Sequence, residues 1–127
     1  MLHIWIKAAR LRTLPLSASG VILGGAVAAS EGAFRPAVFA LSVLTALLLQ
    51  ILSNFANDYG DYTHGSDGAG RVGPSRAVSS GEISPRSMFR AVAIFSCLSA
   101  LSAAALFWTS FGTEPARWGA FAALGAA

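Results

Sequence analysis

The stretch PAVFALSVLTALLLQILSNFAN, residues 36–57, contains 22 residues and not one Asp, Glu, Lys, Arg or His. A helix crosses the hydrocarbon core of a membrane with about 20 apolar residues. This stretch alone therefore predicts a transmembrane helix. Two further stretches without such residues, 13–30 and 91–113, contain 18 and 23 residues. Together the three predict an all-α fold, a polytopic transmembrane helix bundle.

The composition of the 127-residue chain agrees with a membrane protein, because 54% of its residues are hydrophobic and only 12% are charged. Soluble domains usually carry about 25% charged residues. A fourth apolar run, residues 118–127, contains only ten residues and is too short to cross a bilayer. We expect it to be the start of a fourth helix. Residues 1–127 would then be the N-terminal part of a single membrane-embedded domain in a longer protein.

The distribution of basic residues predicts the orientation of the chain. Seven of the nine precede the first stretch or lie between the second and the third: Lys7, Arg10, Arg12, Arg71, Arg76, Arg86 and Arg90. Only Arg35 and Arg117 flank the opposite side. The split predicts a cytoplasmic N-terminus and a cytoplasmic 58–90 connection. It also accounts for the net charge of +3 without a nucleic-acid partner.

Small residues recur at helical spacing in two of the predicted spans. Gly20 and Gly24 are four residues apart in the first span, and Ser96, Ala100 and Ala104 form one line in the third. Small side chains at this spacing let helix backbones approach closely. The pattern predicts a compact bundle.

A polar stripe develops along the second span as it approaches the predicted cytoplasmic side. Gln50, Asn54, Asp58 and Asp61 follow at intervals of four, four and three residues, which places them on one helix face. Polar side chains at membrane depth are costly unless they face the bundle interior or a water-filled cavity. We therefore expect this face to point inward.

The three aspartates of the chain, Asp58, Asp61 and Asp67, all lie within ten residues. They allow two interpretations. In one, the first two are interfacial residues that end a helix before a flexible loop. In the other, they hold Mg²⁺, which proteins usually bind through one or two carboxylates plus substrate phosphates. Arg71 and Arg76 follow, and guanidinium groups match phosphate oxygens. The second interpretation is a metal–diphosphate clamp at the membrane surface.

Several motifs resemble the UbiA superfamily of intramembrane prenyltransferases. NDYGD at 57–61, GSD at 65–67, RVGPSRAV at 71–78 and SGEIS at 80–84 resemble its first aspartate-rich motif and the segment that follows. AARLRTLPLSASGVILGGAVA at 8–28 is similar to its first helix. The six-residue spacing from Asp61 to Asp67 resembles the menaquinone branch. The resemblance extends over nearly the whole chain.

The resemblance implies a bundle of nine transmembrane helices around a lipid-open cavity. It also implies transfer of a polyprenyl group from a polyprenyl diphosphate to an aromatic acceptor, 1,4-dihydroxy-2-naphthoate in this branch, with Mg²⁺ as cofactor. Asp58 and Asp61 would be the catalytic carboxylates. The metal ligands it implies are Asn57, Asp58, Asp61 and Asp67, and the diphosphate contacts are Arg71, Arg76, Asn54 and Arg12.

Two features keep other interpretations open. The second aspartate-rich motif of the family is absent from residues 1–127, so we expect this part of the chain to be inactive alone. Arg12 also has a simpler role as a topology anchor, together with Arg10. The alternatives are another UbiA-type aromatic prenyltransferase, or a non-catalytic or transport membrane protein whose aspartates bind a cation.

Overall fold

A computed structural model of the chain describes residues 2–63, 77, 78, 80–112 and 119, and it confirms the all-helical architecture. The helices are α1 (Leu2–Ala9), α2 (Leu14–Ser30), α3 (Pro36–Thr63) and α4 (Pro85–Phe111), with a short 3-10 turn at Leu11–Thr13 between α1 and α2. Three segments are long and apolar enough to cross a membrane: Leu2–Ser30, Pro36–Thr63 and Pro85–Ser110. The expected start of a fourth span lies outside the described residues, apart from Gly119.

The helix boundaries follow from local sequence. Arg10 has a left-handed backbone conformation, with φ of 54°, which separates α1 from the turn that follows. Pro15 occupies the first turn of α2, where a missing N–H is tolerated. Ser84 caps α4, since its side chain accepts a hydrogen bond from the backbone N–H of Ser87 at 3.2 Å. Gly112 ends α4 with φ of 67°.

Two helices are longer at one end than the uncharged stretches from which they were predicted, 36–57 and 91–113. α3 runs on to Thr63, and α4 begins at Pro85, six residues before Ala91. The 28 residues of α3 extend about 42 Å, whereas the hydrocarbon core is about 30 Å thick. Charged residues such as Asp61 and Arg86 can therefore belong to these helices, because the helix ends reach beyond the hydrocarbon.

The buried core lies at one end of the bundle, where α1, the end of α3 and the segment before α4 meet. Its buried apolar members are Ala8, Ala9, Phe55, Ala77, Val78, Ile83 and Met88. Phe55 stacks edge to face on Trp5 and on Phe95, with ring centroids 5.6 and 5.3 Å apart. This packing fixes α1 and α4 against the part of α3 that carries the aspartates.

Small residues permit close packing at only one of the expected positions in α2. A Cβ added at Gly25 would lie 2.6 Å from the ring of Phe39 on α3, so glycine is needed there. A Cβ on Gly20 or Gly24 would meet no other described atom within 4 Å. Among the three glycines of this small-residue pattern, the close approach therefore occurs at Gly25 and not at Gly20 or Gly24. On α4, the line through Ala100 is exposed rather than packed within the described part of the chain.

Candidate functional site: a buried carboxylate beside a basic cavity

The polar face of α3 points into the bundle, as the sequence predicts. The side chain of Gln50 accepts a hydrogen bond from the hydroxyl of Ser17 on α2. The side-chain amide of Asn54 donates to the backbone carbonyl of Ala9 at 2.8 Å and to Oγ1 of Thr13 at 3.2 Å. Because Asn54 is only 5% exposed, these bonds satisfy a polar group that water barely reaches.

Asp58 lies one turn further along the same face and is 3% exposed. Its Oδ2 accepts a hydrogen bond from the backbone N–H of Ala77 at 3.0 Å, and its Oδ1 accepts one from the backbone N–H of Val78 at 3.1 Å. These partners are 19 and 20 residues away in sequence. Hydrogen bonds from amides to an ionised carboxylate are stronger than neutral ones, so they stabilise this buried charge.

The segment that Asp58 holds is a turn, of which the structure describes residues 77, 78 and 80–83. The backbone N–H of Gly81 donates to the carbonyl of Val78, and that of Ile83 donates to the carbonyl of Ala77, both at 3.1 Å. Gly81 has φ of 83°, a conformation that favours glycine. This turn therefore has a defined shape, and its apolar side chains belong to the buried core.

A cavity of about 380 Å³ opens beside Asp58 and Ala77. The rest of its lining comes from the N-terminal segment: Ile6, Lys7, Ala8, Arg10, Leu11 and Arg12. Three cationic side chains thus line one cavity with one carboxylate. The excess of positive charge suits an anion, and diphosphate is the anion that the sequence predicts.

The structure locates only part of the predicted site. Asn57 is exposed and Asp61 is half-buried in the last turns of α3, while Arg12 is exposed at the cavity. The predicted ligand Asp67 and the predicted diphosphate contacts Arg71 and Arg76 lie outside the described residues. Asn54, the remaining predicted diphosphate contact, bonds to the α1–α2 junction.

Two parts of this site were not predicted from the sequence. Lys7 lines the cavity with Arg10 and Arg12, although only a role in topology was predicted for Lys7. Their spacing of three and two residues spans the break between α1 and the 3-10 turn, so no single helix face groups them. The backbone amides of Ala77 and Val78 were missed as well, because no residue type marks an amide that binds a distant side chain.

The described residues fit Mg²⁺ that is bound together with a phosphate-bearing substrate. Among them, no group of three or more His, Cys, Asp or Glu side chains could hold a metal ion. They do provide one carboxylate in the last turns of α3, Asp61, while both oxygens of Asp58 one turn earlier accept backbone amides. One or two carboxylates with substrate phosphates are the usual ligands of Mg²⁺.

Replacement of Asn54 by alanine is expected to lower the free energy of unfolding by about 1–3 kcal/mol, because it leaves the buried carbonyl of Ala9 without its donor. Thermal unfolding of the complete protein in detergent measures the change. Ser53→Ala is the matched control, since Ser53 is exposed on the neighbouring face of α3. Equal melting temperatures for the two variants would contradict this role of Asn54.

The described residues thus form helices long and apolar enough to span a membrane, and one cavity beside them is lined by a carboxylate and three cationic side chains. Residues 18–126 match the model of the UbiA prenyltransferase family. The chain therefore belongs to the UbiA prenyltransferase family.

Curated relatives carry one common name, 1,4-dihydroxy-2-naphthoate octaprenyltransferase. The chain is 47% identical over 102 residues to the protein of that name from Escherichia coli, a match that covers 80% of this chain and 33% of the relative. The chain is 44% identical over 89 residues to the Haemophilus influenzae protein, a match that covers 68% of this chain and 29% of the relative. It is 39% identical over 100 residues to the Mycobacterium tuberculosis protein, a match that covers 77% of this chain and 33% of the relative. The matched region thus spans about a third of these relatives. No solved structure matches the chain.

Proposed function

We propose that this chain is the N-terminal part of a membrane prenyltransferase that converts 1,4-dihydroxy-2-naphthoate and a polyprenyl diphosphate into demethylmenaquinol, the reduced form of demethylmenaquinone, with Mg²⁺ as cofactor. Family membership and the shared name of the relatives support the reaction class and the acceptor. The observation that carries the proposal is the cavity in which Lys7, Arg10 and Arg12 lie beside Asp58. Three cations line this cavity with one carboxylate, an arrangement that suits an anion better than a bare cation and disfavours the transport alternative.

The cationic side chains have a direct part in the proposed reaction. Diphosphate is a poor leaving group until its charge is neutralised, and Lys7, Arg10 and Arg12 place positive charge where the leaving group would lie. Mg²⁺, which the motif residues Asn57, Asp61 and Asp67 would hold, would add the charge stabilisation of a Lewis acid. The two effects act on the same developing charge.

The bond changes of the proposed reaction balance without an enzyme-bound intermediate. The C–O bond between the allylic carbon and the diphosphate breaks, and the electron pair leaves with the diphosphate. The ring carbon that carries the carboxylate forms a C–C bond to the allylic carbon. Loss of CO₂ returns its electron pair to the ring and restores aromaticity. Apolar surroundings exclude water, which would otherwise capture the allylic cation.

An assay of the complete protein in detergent tests the proposal. It supplies polyprenyl diphosphate, Mg²⁺ and, in parallel reactions, 1,4-dihydroxy-2-naphthoate and other aromatic acids. We expect prenylated product and CO₂ in equal amounts from the naphthoate only, and neither with EDTA present. Preferred transfer to a different aromatic acid would replace the acceptor and retain the reaction class. No transfer to any acceptor would overturn the proposal.

We also propose that the protein lies in the bacterial cytoplasmic membrane with its N-terminus and the α3–α4 connection in the cytoplasm. The support is the division of basic residues, seven on one side and two on the other. α3 separates the two sides, since Arg35 directly precedes it and Asp58 lies near its other end.

A cysteine at position 64 is therefore expected to resist an impermeant thiol reagent added to intact cells. The background is Cys97→Ser, because Cys97 is a free, exposed thiol. Ala33→Cys in the same background is the control, since Ala33 lies in the exposed connection between α2 and α3 and should react. The reverse labelling pattern would invert the proposed topology.

A further inference from the structure

We infer that Asp58 is a positioning residue, which holds the turn of residues 77, 78 and 80–83 as one wall of the basic cavity by accepting hydrogen bonds from two of its backbone amides. The family resemblance places Asp58 among the metal ligands instead. In the structure each of its oxygens lies at hydrogen-bond distance from a different amide, 3.0 Å from that of Ala77 and 3.1 Å from that of Val78.

Burial explains why this arrangement does not need a metal. A carboxylate that is 3% exposed is costly unless it is paired or hydrogen-bonded. Two amide donors supply that compensation from the chain itself. Both donors belong to the turn, since they are the amides of the consecutive buried residues Ala77 and Val78.

The turn that Asp58 holds contacts the cavity or its lining in three ways. Ala77 lines the cavity directly. Ile83 packs in the same buried cluster as Ala8 and Ala9, which lie between Lys7 and Arg10 in the sequence. Glu82 pairs with Lys7 at 3.4 Å, although this pair is largely exposed and contributes little alone. The carboxylate thus couples α3 to both the wall and the cationic lining of the cavity.

A division of roles between the two aspartates follows. Asp58 acts on substrate through the turn, whereas Asp61, three residues later and less buried, keeps the predicted role of metal ligand. The part of this inference that concerns substrate rests on the proposed function. The hold on the turn does not, because it is a property of the chain without metal or substrate.

Hydrogen exchange of the complete protein in detergent with EDTA tests the hold on the turn. In the wild type we expect the amides of Ala77 and Val78 to be protected without metal. Asp58→Asn should speed their exchange about tenfold or more, since an asparagine offers one acceptor oxygen where the aspartate offers two. Asp61→Asn, which removes the same charge from the same helix, should leave both amides protected. Wild-type protection that appears only after Mg²⁺ is added would overturn the inference, even if Asp58→Asn failed to fold.

Steady-state kinetics of the same variants test the division of roles. Asp58→Asn should raise the KM for polyprenyl diphosphate about tenfold and leave the Mg²⁺ concentration for half-maximal activity unchanged. Asp61→Asn should raise that Mg²⁺ concentration. Equal shifts in Mg²⁺ dependence for both variants would make Asp58 a metal ligand and overturn the inference. If the wild type transferred no prenyl group, the proposed function would fail, and the exchange experiment would still decide whether Asp58 holds the turn.

Discussion

Asp61→Asn in the complete protein is expected to slow prenyl transfer by about a hundredfold, equivalent to about 2.7 kcal/mol of transition-state stabilisation. A neutral amide is a weaker oxygen ligand for Mg²⁺ and removes the charge that holds the cation. The diphosphate would then leave with less of its charge neutralised. Initial rates over a series of Mg²⁺ concentrations measure the loss, and high Mg²⁺ should restore part of it.

Glu31→Gln is the matched control for Asp61→Asn. It removes one carboxylate charge from the connection between α2 and α3, at the other end of α3 from Asp61. Glu31 is exposed there, so the rates of this variant should equal those of the wild type. Wild-type rates from Asp61→Asn in the presence of EDTA would remove the metal from the mechanism. Asp58→Asn should also lose most of its activity at low substrate concentrations, but because its KM for polyprenyl diphosphate is raised.

Arg76→Lys is expected to lower prenyl transfer about tenfold to a hundredfold although the charge is retained. Lysine lacks the planar fork that pairs with two phosphate oxygens at once. A charge-assisted hydrogen bond contributes about 1.5–3 kcal/mol, which sets this range. Arg76 itself lies outside the described residues, but it directly precedes Ala77, which lines the basic cavity. The measurement is turnover of polyprenyl diphosphate, with less change expected in the apparent affinity for the aromatic acceptor.

Arg86→Lys serves as the control for Arg76→Lys. Arg86 is an exposed residue in the first turn of α4, on the same side of the membrane in the proposed topology, and topology depends on charge rather than on fork geometry. Both variants should therefore insert normally, and only Arg76→Lys should lose activity. Unaltered transfer by Arg76→Lys would count against a diphosphate clamp even if the metal requirement remained.

The sequence predicted the features that depend on the periodicity of residue types. Long runs without charge predicted three spans, and the four-residue spacing of Gln50, Asn54 and Asp58 predicted an inward polar face. Both are confirmed, the spans by helices of sufficient length and the face by the burial of Asn54 and Asp58. These predictions succeed because burial of polar groups in a membrane is costly enough to restrict where each residue type can lie.

Features that depend on contacts between distant segments were not predictable. The sequence shows that Asp58 must face inward but not that its partners are two amides beyond a thirteen-residue segment, 64–76. It also did not predict that Arg10 takes a left-handed conformation and so brings Lys7, Arg10 and Arg12 to one cavity. Arginine rarely takes this conformation, so no local preference predicts it.

The order in which the chain is synthesised gives the bond between Asp58 and the turn a further consequence. The acceptor is made before its donors, and the 20 residues from Asp58 to Val78 take about 1–4 s to add at ordinary elongation rates. Met88, which is fully buried in the same cluster, follows later still. α3 can therefore enter the membrane while its carboxylate is still solvated by water at the membrane surface. Burial of Asp58 then becomes a late step, in which the turn closes over a helix already in place.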